Sequence, residues 1–95
     1  MIIQIFYKQR KYEIEINNTY TVKKILDTFY DKIYDKKEPR YYTFEDMIFK
    51  FGDDILNQKK EQLDVTAEEL GLEDNDNFTL INSKDIIPGK IEAIK

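Results

Sequence analysis

Residues 22–33 carry the feature that most constrains the fold, a stripe of apolar side chains at helical spacing. Its members, Val22, Ile25, Leu26, Phe29 and Ile33, stand at offsets of 0, 3, 4, 7 and 11 residues, which place them on one face of a helix. Thr21 precedes the stripe, and its hydroxyl is able to cap the first turn of a helix. Pro39 and the charged residues before it end that helix. In a chain of 95 residues, a helix with one apolar face is stable only when other elements bury that face.

Short segments rich in β-branched and aromatic residues predict strands on both sides of the helix. The predicted strands span residues 2–7, 12–16, 47–51, 55–56 and 78–81. The first two form a hairpin, whose turn at residues 8–11 lacks Asn-Gly or Asp-Gly, so the sequence does not specify the type of turn. Residues 41–44 predict an anchored loop or a short strand.

One further helical turn is predicted near residue 66. Thr66 and Glu69 have the spacing of a capping box, and Gly71 stands where a left-handed residue ends a helix. The order of elements predicts an α+β domain, in which a mixed four- to five-stranded sheet packs on one main helix plus a short helical turn.

The side-chain inventory excludes most catalytic classes. The sequence has no His, Cys or Trp, and Ser83 is its single serine. It lacks an imidazole base, a thiol nucleophile, a Ser-His-Asp arrangement and a Cys/His zinc site. The acidic segment from Asp74 is not a calcium loop, because Phe78 and Thr79 occupy positions that need a ligand and a glycine. We expect no enzyme activity, no metal or other cofactor and no small-molecule substrate.

Charge is unevenly distributed along the chain. Fifteen basic and 19 acidic residues give a net charge of −4, yet residues 1–40 lean basic and residues 61–76 hold seven acids and no base. This asymmetry favours oriented docking with a protein, and the net charge disfavours nucleic acid or membrane as the main partner. The alternatives are that both regions are solvated surface, or that the basic residues at 8–11 bind nucleic acid. The absence of Cys, of a signal peptide and of a membrane-spanning run predicts an intracellular location, cytoplasmic or nuclear.

Three segments resemble the ubiquitin-like β-grasp family, and more closely the small ubiquitin-related modifiers (SUMO). Residues 19–26 (TYTVKKIL) resemble the start of the SUMO helix, Thr-Thr-x-apolar-Lys-Lys-apolar-Lys. Residues 66–74 (TAEELGLED) are similar to the SUMO segment Thr-Pro-x-Glu-Leu-Gly-Met-Glu-Glu. Residues 48–55 (IFKFGDDI) are similar to Phe-Leu-Phe-Glu-Gly-Gln-Arg-Ile. The resemblance spans about residues 2–82 and implies a ubiquitin-like β-grasp roll.

The segment after the last strand departs from that family. We expect a ubiquitin/SUMO-like domain at residues 1–82 and a C-terminal tail at residues 83–95. SUMO and ubiquitin carry a diglycine that conjugation needs, whereas Ile86 and Ile87 align with it here, followed by Pro88 and a lone Gly89. Branched isoleucine does not suit the narrow channel that admits diglycine. The chain is therefore not expected to be conjugated as it stands.

The resemblance implies two candidate protein-binding surfaces. The first is the SUMO groove between the second strand and the helix, where a partner strand adds edge-on. Its matching positions here are Tyr12, Ile14, Ile16, Lys24, Ile25 and Lys32. Glu15 and Asn17 replace two family lysines, so the groove would prefer a ligand with a neutral or basic flank. The alternative is that the isoleucines are plain core.

The second candidate surface is the outer sheet face that carries the recognition patch of ubiquitin. The matching third-strand position falls at Phe49, and with Ile48 inward, Phe49 and Phe51 would face solvent together. Two exposed phenylalanines on one face would mark a binding site. The alternative is a different strand orientation, or coverage by apolar residues of the tail.

These observations predict a non-covalent protein-protein interaction module or a small scaffold or adaptor subunit, placed within a larger complex. The alternative is a ubiquitin- or SUMO-type covalent modifier or its precursor. A β-grasp adaptor with another docking mode is a third possibility, although residues 52–54 lack the Phe-Pro-Arg signature of the UBX type.

Overall fold

The computed structural model describes residues 1–33 and 47–82. The strands are β1 (Ile2–Tyr7), β2 (Arg10–Glu15), β3 (Met47–Phe51), β4 (Asp54–Ile55) and β5 (Asn77–Asn82). The helices are α1 (Val22–Ile33), a 3-10 helix (Lys60–Asp64) and α2 (Ala67–Leu70). The predicted loop at 41–44 and the predicted tail at 83–95 lie outside the described residues.

The five strands form one mixed sheet in the order β2-β1-β5-β3-β4. The pairing of β1 with β5 is parallel, and the other pairings are antiparallel. The predicted architecture of a mixed sheet with one main helix and a short helical turn is confirmed. Because β1 and β5 are central, their inward residues Ile5, Phe78 and Leu80 are at most 2% exposed.

The β1–β2 connection is tighter than the sequence indicated. Lys8 and Gln9 are the two turn residues, with φ of 50° and 65°, and Tyr7 pairs with Arg10. Two successive positive φ angles define the type I′ hairpin turn, whose twist matches that of the strands it joins. The second strand therefore begins at Arg10, two residues earlier than predicted.

Helix α1 buries four residues of the stripe that predicted it and partly buries the fifth, Ile33. Val22, Ile25, Leu26 and Phe29 are 0% exposed. The Lys24 backbone N–H donates to the Thr21 hydroxyl over 3.1 Å, so the predicted cap is present. Phe29 is the centre of an aromatic cluster, with edge-on contacts to the rings of Tyr7, Tyr12 and Tyr30 at centroid distances of 5.7, 5.3 and 5.6 Å.

The segment from β4 to β5 is held by local hydrogen bonds. The Thr66 hydroxyl accepts from the Glu69 backbone N–H, the Glu69 carboxylate accepts from the Thr66 N–H, and Gly71 follows at φ 68°. The predicted capping box and left-handed glycine are therefore confirmed. No helix within residues 1–33 and 47–82 has the length and apolar character that crossing a membrane requires.

Candidate protein-binding surfaces

The orientation of β3 decides which residues the outer sheet face presents. Phe49 is 0% exposed and stacks on Phe78, with ring centroids 5.2 Å apart and planes 11° from parallel. Phe51 is partly buried and stacks on the same ring at 4.8 Å. The prediction that Phe49 and Phe51 face solvent is therefore wrong. Both aromatic rings belong to the core, where they bury large apolar surface.

The sequence contained a signal for the correct orientation. Residues two apart in a strand share a face, so Ile48 lies on the same side as Lys50. A lysine is rarely buried without a partner, which indicates that this side is the solvated one. The aromatic residues of Met47–Phe51 are then on the inner side.

An apolar patch on the outer face is formed by Phe6, Ile48 and Ile81, which we call the outer-face patch. Ile48 and Ile81 are direct cross-strand partners on β3 and β5, and both are partly exposed. Phe6 on β1 pairs with Thr79, two residues before Ile81, which makes Phe6 and Ile81 diagonal neighbours. Diagonal neighbours lie about 7–8 Å apart, within reach of an aromatic side chain. Two large apolar side chains are exposed among the described residues, Phe6 at 44% and Ile2 at 41%.

Basic side chains border this patch. The Lys11 ammonium lies 5.7 Å from the centre of the Phe6 ring, a cation–π contact. Lys50 pairs with Thr79, the strand residue between Phe6 and β3, on the same face. Lys8 does not border the patch, because its ammonium lies 5.4 Å from the ring of Tyr7, which is on the inner side of β1. Two ammonium groups, those of Lys11 and Lys50, therefore lie beside the patch on the outer face, and the nearest carboxylate on β2, that of Glu13, accepts a hydrogen bond from the Gln4 side chain.

The second surface is the outer edge of β2. Within the described parts of the chain, β2 pairs with β1 alone, so it is an edge strand. Ile16 and Met1 exchange two hydrogen bonds, each of 2.8 Å, at the end of this pairing. Because facing residues in an antiparallel pair alternate, Ile14 and Tyr12 also bond towards β1. The backbone groups of Lys11, Glu13 and Glu15 therefore point away from the sheet.

The structure places the predicted groove residues on and beside β2 and along α1, and it buries the apolar ones. Ile14, Ile16 and Ile25 are 4%, 3% and 0% exposed, so they are core residues and offer no open pocket. Tyr12 is half-buried, with its ring edge-on to Phe29. The β2 edge therefore offers a partner its backbone groups and the Tyr12 ring. That a partner strand binds there stays a prediction.

The two lysines of the predicted groove are exposed at opposite ends of α1. The Lys24 ammonium lies 5.7 Å from the ring centre of Tyr20. The Lys32 ammonium donates a hydrogen bond to the backbone carbonyl of Glu13. Since that carbonyl points away from the sheet, Lys32 covers one acceptor of the β2 edge.

A shallow depression of about 500 Å³ lies between β4 and the 3-10 helix. Asp53, Asp54, Gln62 and Leu70 border it, and both aspartates are exposed. Among the residues that the structure describes, no three His, Cys, Asp or Glu side chains are grouped so as to hold a metal. The depression is a solvated surface feature.

Comparison with solved structures identifies the fold. The ubiquitin-like domain of an Arabidopsis thaliana protein matches 86% of this chain and 76% of its own, with a TM-score of 0.64 and 12% identity. The ubiquitin of Caldiarchaeum subterraneum matches 86% of this chain and 91% of its own, with a TM-score of 0.61 and 24% identity. ATBAG1, solved in complex with HSP70, matches 99% of this chain and 48% of its own, with a TM-score of 0.62 and 13% identity.

These similarities define the chain as a domain with the ubiquitin-like β-grasp fold. No protein-family model matches the sequence. No curated protein matches it at a significant level. At these identities the structural matches establish the fold, and the function has to be argued from the surface.

Proposed function

We propose that this chain is a non-covalent protein-binding module, an adaptor or scaffold subunit without catalytic activity, which binds its partner through the outer-face patch. The observation that carries the proposal is the 44% exposure of Phe6 beside the partly exposed pair Ile48 and Ile81. Grouped apolar side chains on an otherwise polar surface lose unfavourable contact with water when a partner covers them.

The charges around the patch specify the partner's chemistry. Lys11 and Lys50 stand on the outer face beside the apolar residues, Lys8 lies in the adjacent turn, and Arg10 follows that turn. A partner surface with an apolar centre and carboxylates around it would complement this arrangement. ATBAG1, a similar structure, is in complex with HSP70, so a protein with this fold occurs in a protein complex.

Non-covalent action is favoured over conjugation by the sequence that follows β5. Ile86 and Ile87 stand where the resemblance to SUMO places the diglycine, and Pro88 follows them. The SUMO-like motifs at residues 19–26, 48–55 and 66–74 support placing the module nearest to SUMO-like domains, and an intracellular location agrees with that placement. The alternative function, a covalent modifier or its precursor, requires a different processing site.

Phe6 and Ile2 provide a matched pair of variants for the test. Both are apolar residues on the outer side of β1, and their exposed fractions are 44% and 41%. Phe6 belongs to the outer-face patch, whereas Ile2 is four residues away and faces Glu15 on β2. Replacing either by serine therefore removes similar exposed apolar surface, but only Phe6→Ser removes it from the patch.

The experiment is affinity capture from a native extract with the wild-type chain, Phe6→Ser and Ile2→Ser as baits. The expected result is a small set of proteins captured by wild type and by Ile2→Ser, and reduced at least tenfold with Phe6→Ser. Equal capture by all three baits would show that the patch is not the site. A ladder of higher-mass species that survives denaturing electrophoresis would instead favour the covalent modifier.

A further inference from the structure

The charged residues of β2 are arranged with opposite signs on the two sides of Tyr12. Arg10 and Lys11 precede Tyr12, and Glu13 and Glu15 follow it. When such a strand lies antiparallel to a copy of itself, with Tyr12 facing Tyr12, Lys11 of each copy faces Glu13 of the other. Charged side chains, lysine especially, protect edge strands from pairing with other chains. Because β2 carries charges of both signs, its side chains are able to attract those of a second copy in one register.

The outward backbone groups of β2 select the registers that self-pairing allows. Lys11, Glu13 and Glu15 point away from the sheet, so these residues must form the hydrogen-bonded pairs with a neighbouring strand. A two-fold axis through Lys11 would pair Lys11 with itself. An axis through Glu13 would pair Glu13 with itself. An axis through Tyr12 pairs Lys11 with Glu13 twice and opposes no like charges.

We propose that two copies of this chain associate by antiparallel pairing of their β2 edges, with Tyr12 on the two-fold axis. The Lys11 N–H donates to the Glu13 carbonyl of the second copy, and the Glu13 N–H donates to the Lys11 carbonyl of the second copy. The same contacts repeat across the axis, as an isologous interface requires. The side chains of Lys11 and Glu13 meet on the outer face as opposite-charge cross-strand pairs.

Tyr12 supplies the apolar centre of this contact. Its ring is half-buried against Phe29 on the inner side of the sheet. On the two-fold axis, Tyr12 faces Tyr12 of the second copy in a pair without backbone hydrogen bonds, where side chains approach most closely. Aromatic pairs at such positions are favourable in sheets.

Lys32 opposes the association and makes it weak. Its ammonium donates a hydrogen bond to the Glu13 carbonyl, which is the acceptor for the Lys11 N–H of the second copy in the proposed pairing. A single pair of six-residue strands also falls below the roughly 1,000 Å² that stable interfaces bury. The dimer is therefore transient, and Lys32→Ala strengthens it by removing the competing donor.

The geometry gives the dimer a consequence for binding. An axis perpendicular to the joined sheets leaves both outer-face patches on the same side, so the dimer presents two patches to one assembly. Bivalent presentation raises apparent affinity without new contacts. The dimer itself does not depend on the proposed function, because its contacts lie at the β2 edge.

The test exploits the charge pattern. Wild type, Lys11→Glu and Glu13→Lys are studied by sedimentation equilibrium and by amide NMR spectra from about 20 µM to about 1 mM, the range of weak interfaces. Each single variant opposes like charges twice and loses self-association. An equimolar mixture of the two variants restores it, because the two carboxylates at positions 11 and 13 of one variant then oppose the two ammonium groups at positions 13 and 11 of the other. Lys23→Glu, an exposed charge reversal on α1, is the control and dimerises like wild type.

The expected wild-type result is a mass that rises towards twice that of the chain, with concentration-dependent shifts at the amides of Lys11, Glu13 and Glu15. Thermal unfolding confirms that each variant is folded. A wild-type chain that stays monomeric to about 1 mM overturns the proposal. Dimerisation of either single variant alone, or failure of the mixture to associate, overturns it equally.

Discussion

Replacing Phe49 by alanine tests the orientation of β3, on which the outer-face patch depends. The Phe49 side chain is 0% exposed and stacked on Phe78, so its removal leaves a cavity in the centre of the core. Deletion of a buried phenylalanine ring costs roughly 3–5 kcal/mol. Ile48→Ala, on the opposite side of the same strand, removes a partly exposed side chain and costs about 1 kcal/mol.

The assay is urea unfolding followed by circular dichroism at a fixed temperature. Small domains have total stabilities of about 5–15 kcal/mol, so Phe49→Ala removes a large share of the total. If that variant is too unstable for a folded baseline, Phe49→Leu and Ile48→Val provide a milder pair in which the Phe49 change still costs more. A larger loss from the Ile48 changes than from the Phe49 changes would refute the orientation, and the outer-face patch with it.

Two further predictions concern single positions. The buried Asn57 side chain bonds the Phe49 N–H and the Met47 carbonyl over 2.9 Å each, and Asn57→Ala leaves both groups without that partner. We expect the free energy of unfolding, measured by urea titration, to fall by about 3 kcal/mol. Gln58→Ala, at the exposed neighbouring position, is the control and costs less than about 0.5 kcal/mol. Gln9 has a backbone φ of 65°, which glycine adopts without the steric cost that a side chain carries. We therefore expect Gln9→Gly to raise the free energy of unfolding by about 1 kcal/mol and the melting temperature by about 4–8 °C. A loss of stability would contradict the type I′ turn.

The helices were predictable from the sequence because their signals are local. The spacing of the stripe from Val22 to Ile33 fixes one buried face, and the Thr66–Glu69 capping box fixes the start of α2. Both signals involve residues within a few turns of each other, so they do not depend on the rest of the fold. The fold class followed from these helices and from the alternating strand segments around them.

The orientation of β3 was harder to predict because apolar residues occupy both of its sides. Met47–Phe51 contains a single polar residue, Lys50, so alternation gives a weak signal. Asn57 carried no signal at all, since a buried asparagine that bonds two backbone groups reads in sequence as part of a polar loop.

The outer-face patch could not be predicted from the sequence, for a different reason. Phe6, Ile48 and Ile81 come from three strands that are far apart in the chain, and their proximity depends on the parallel register of β1 with β5 and the antiparallel register of β3 with β5. Strand register over such separations is fixed by packing of the inner face, so the outer neighbours follow only once the core is known.

The most direct test of the proposed binding surface is an NMR titration of the isotope-labelled chain with a partner recovered in the capture experiment. We expect the amide shifts to concentrate at Phe6, Ile48, Lys50 and Ile81. We also expect Phe6→Ser to weaken the binding at least tenfold and Ile2→Ser to leave it unchanged. Shifts that instead concentrate on α1 or around α2, with the outer face unchanged, would contradict it.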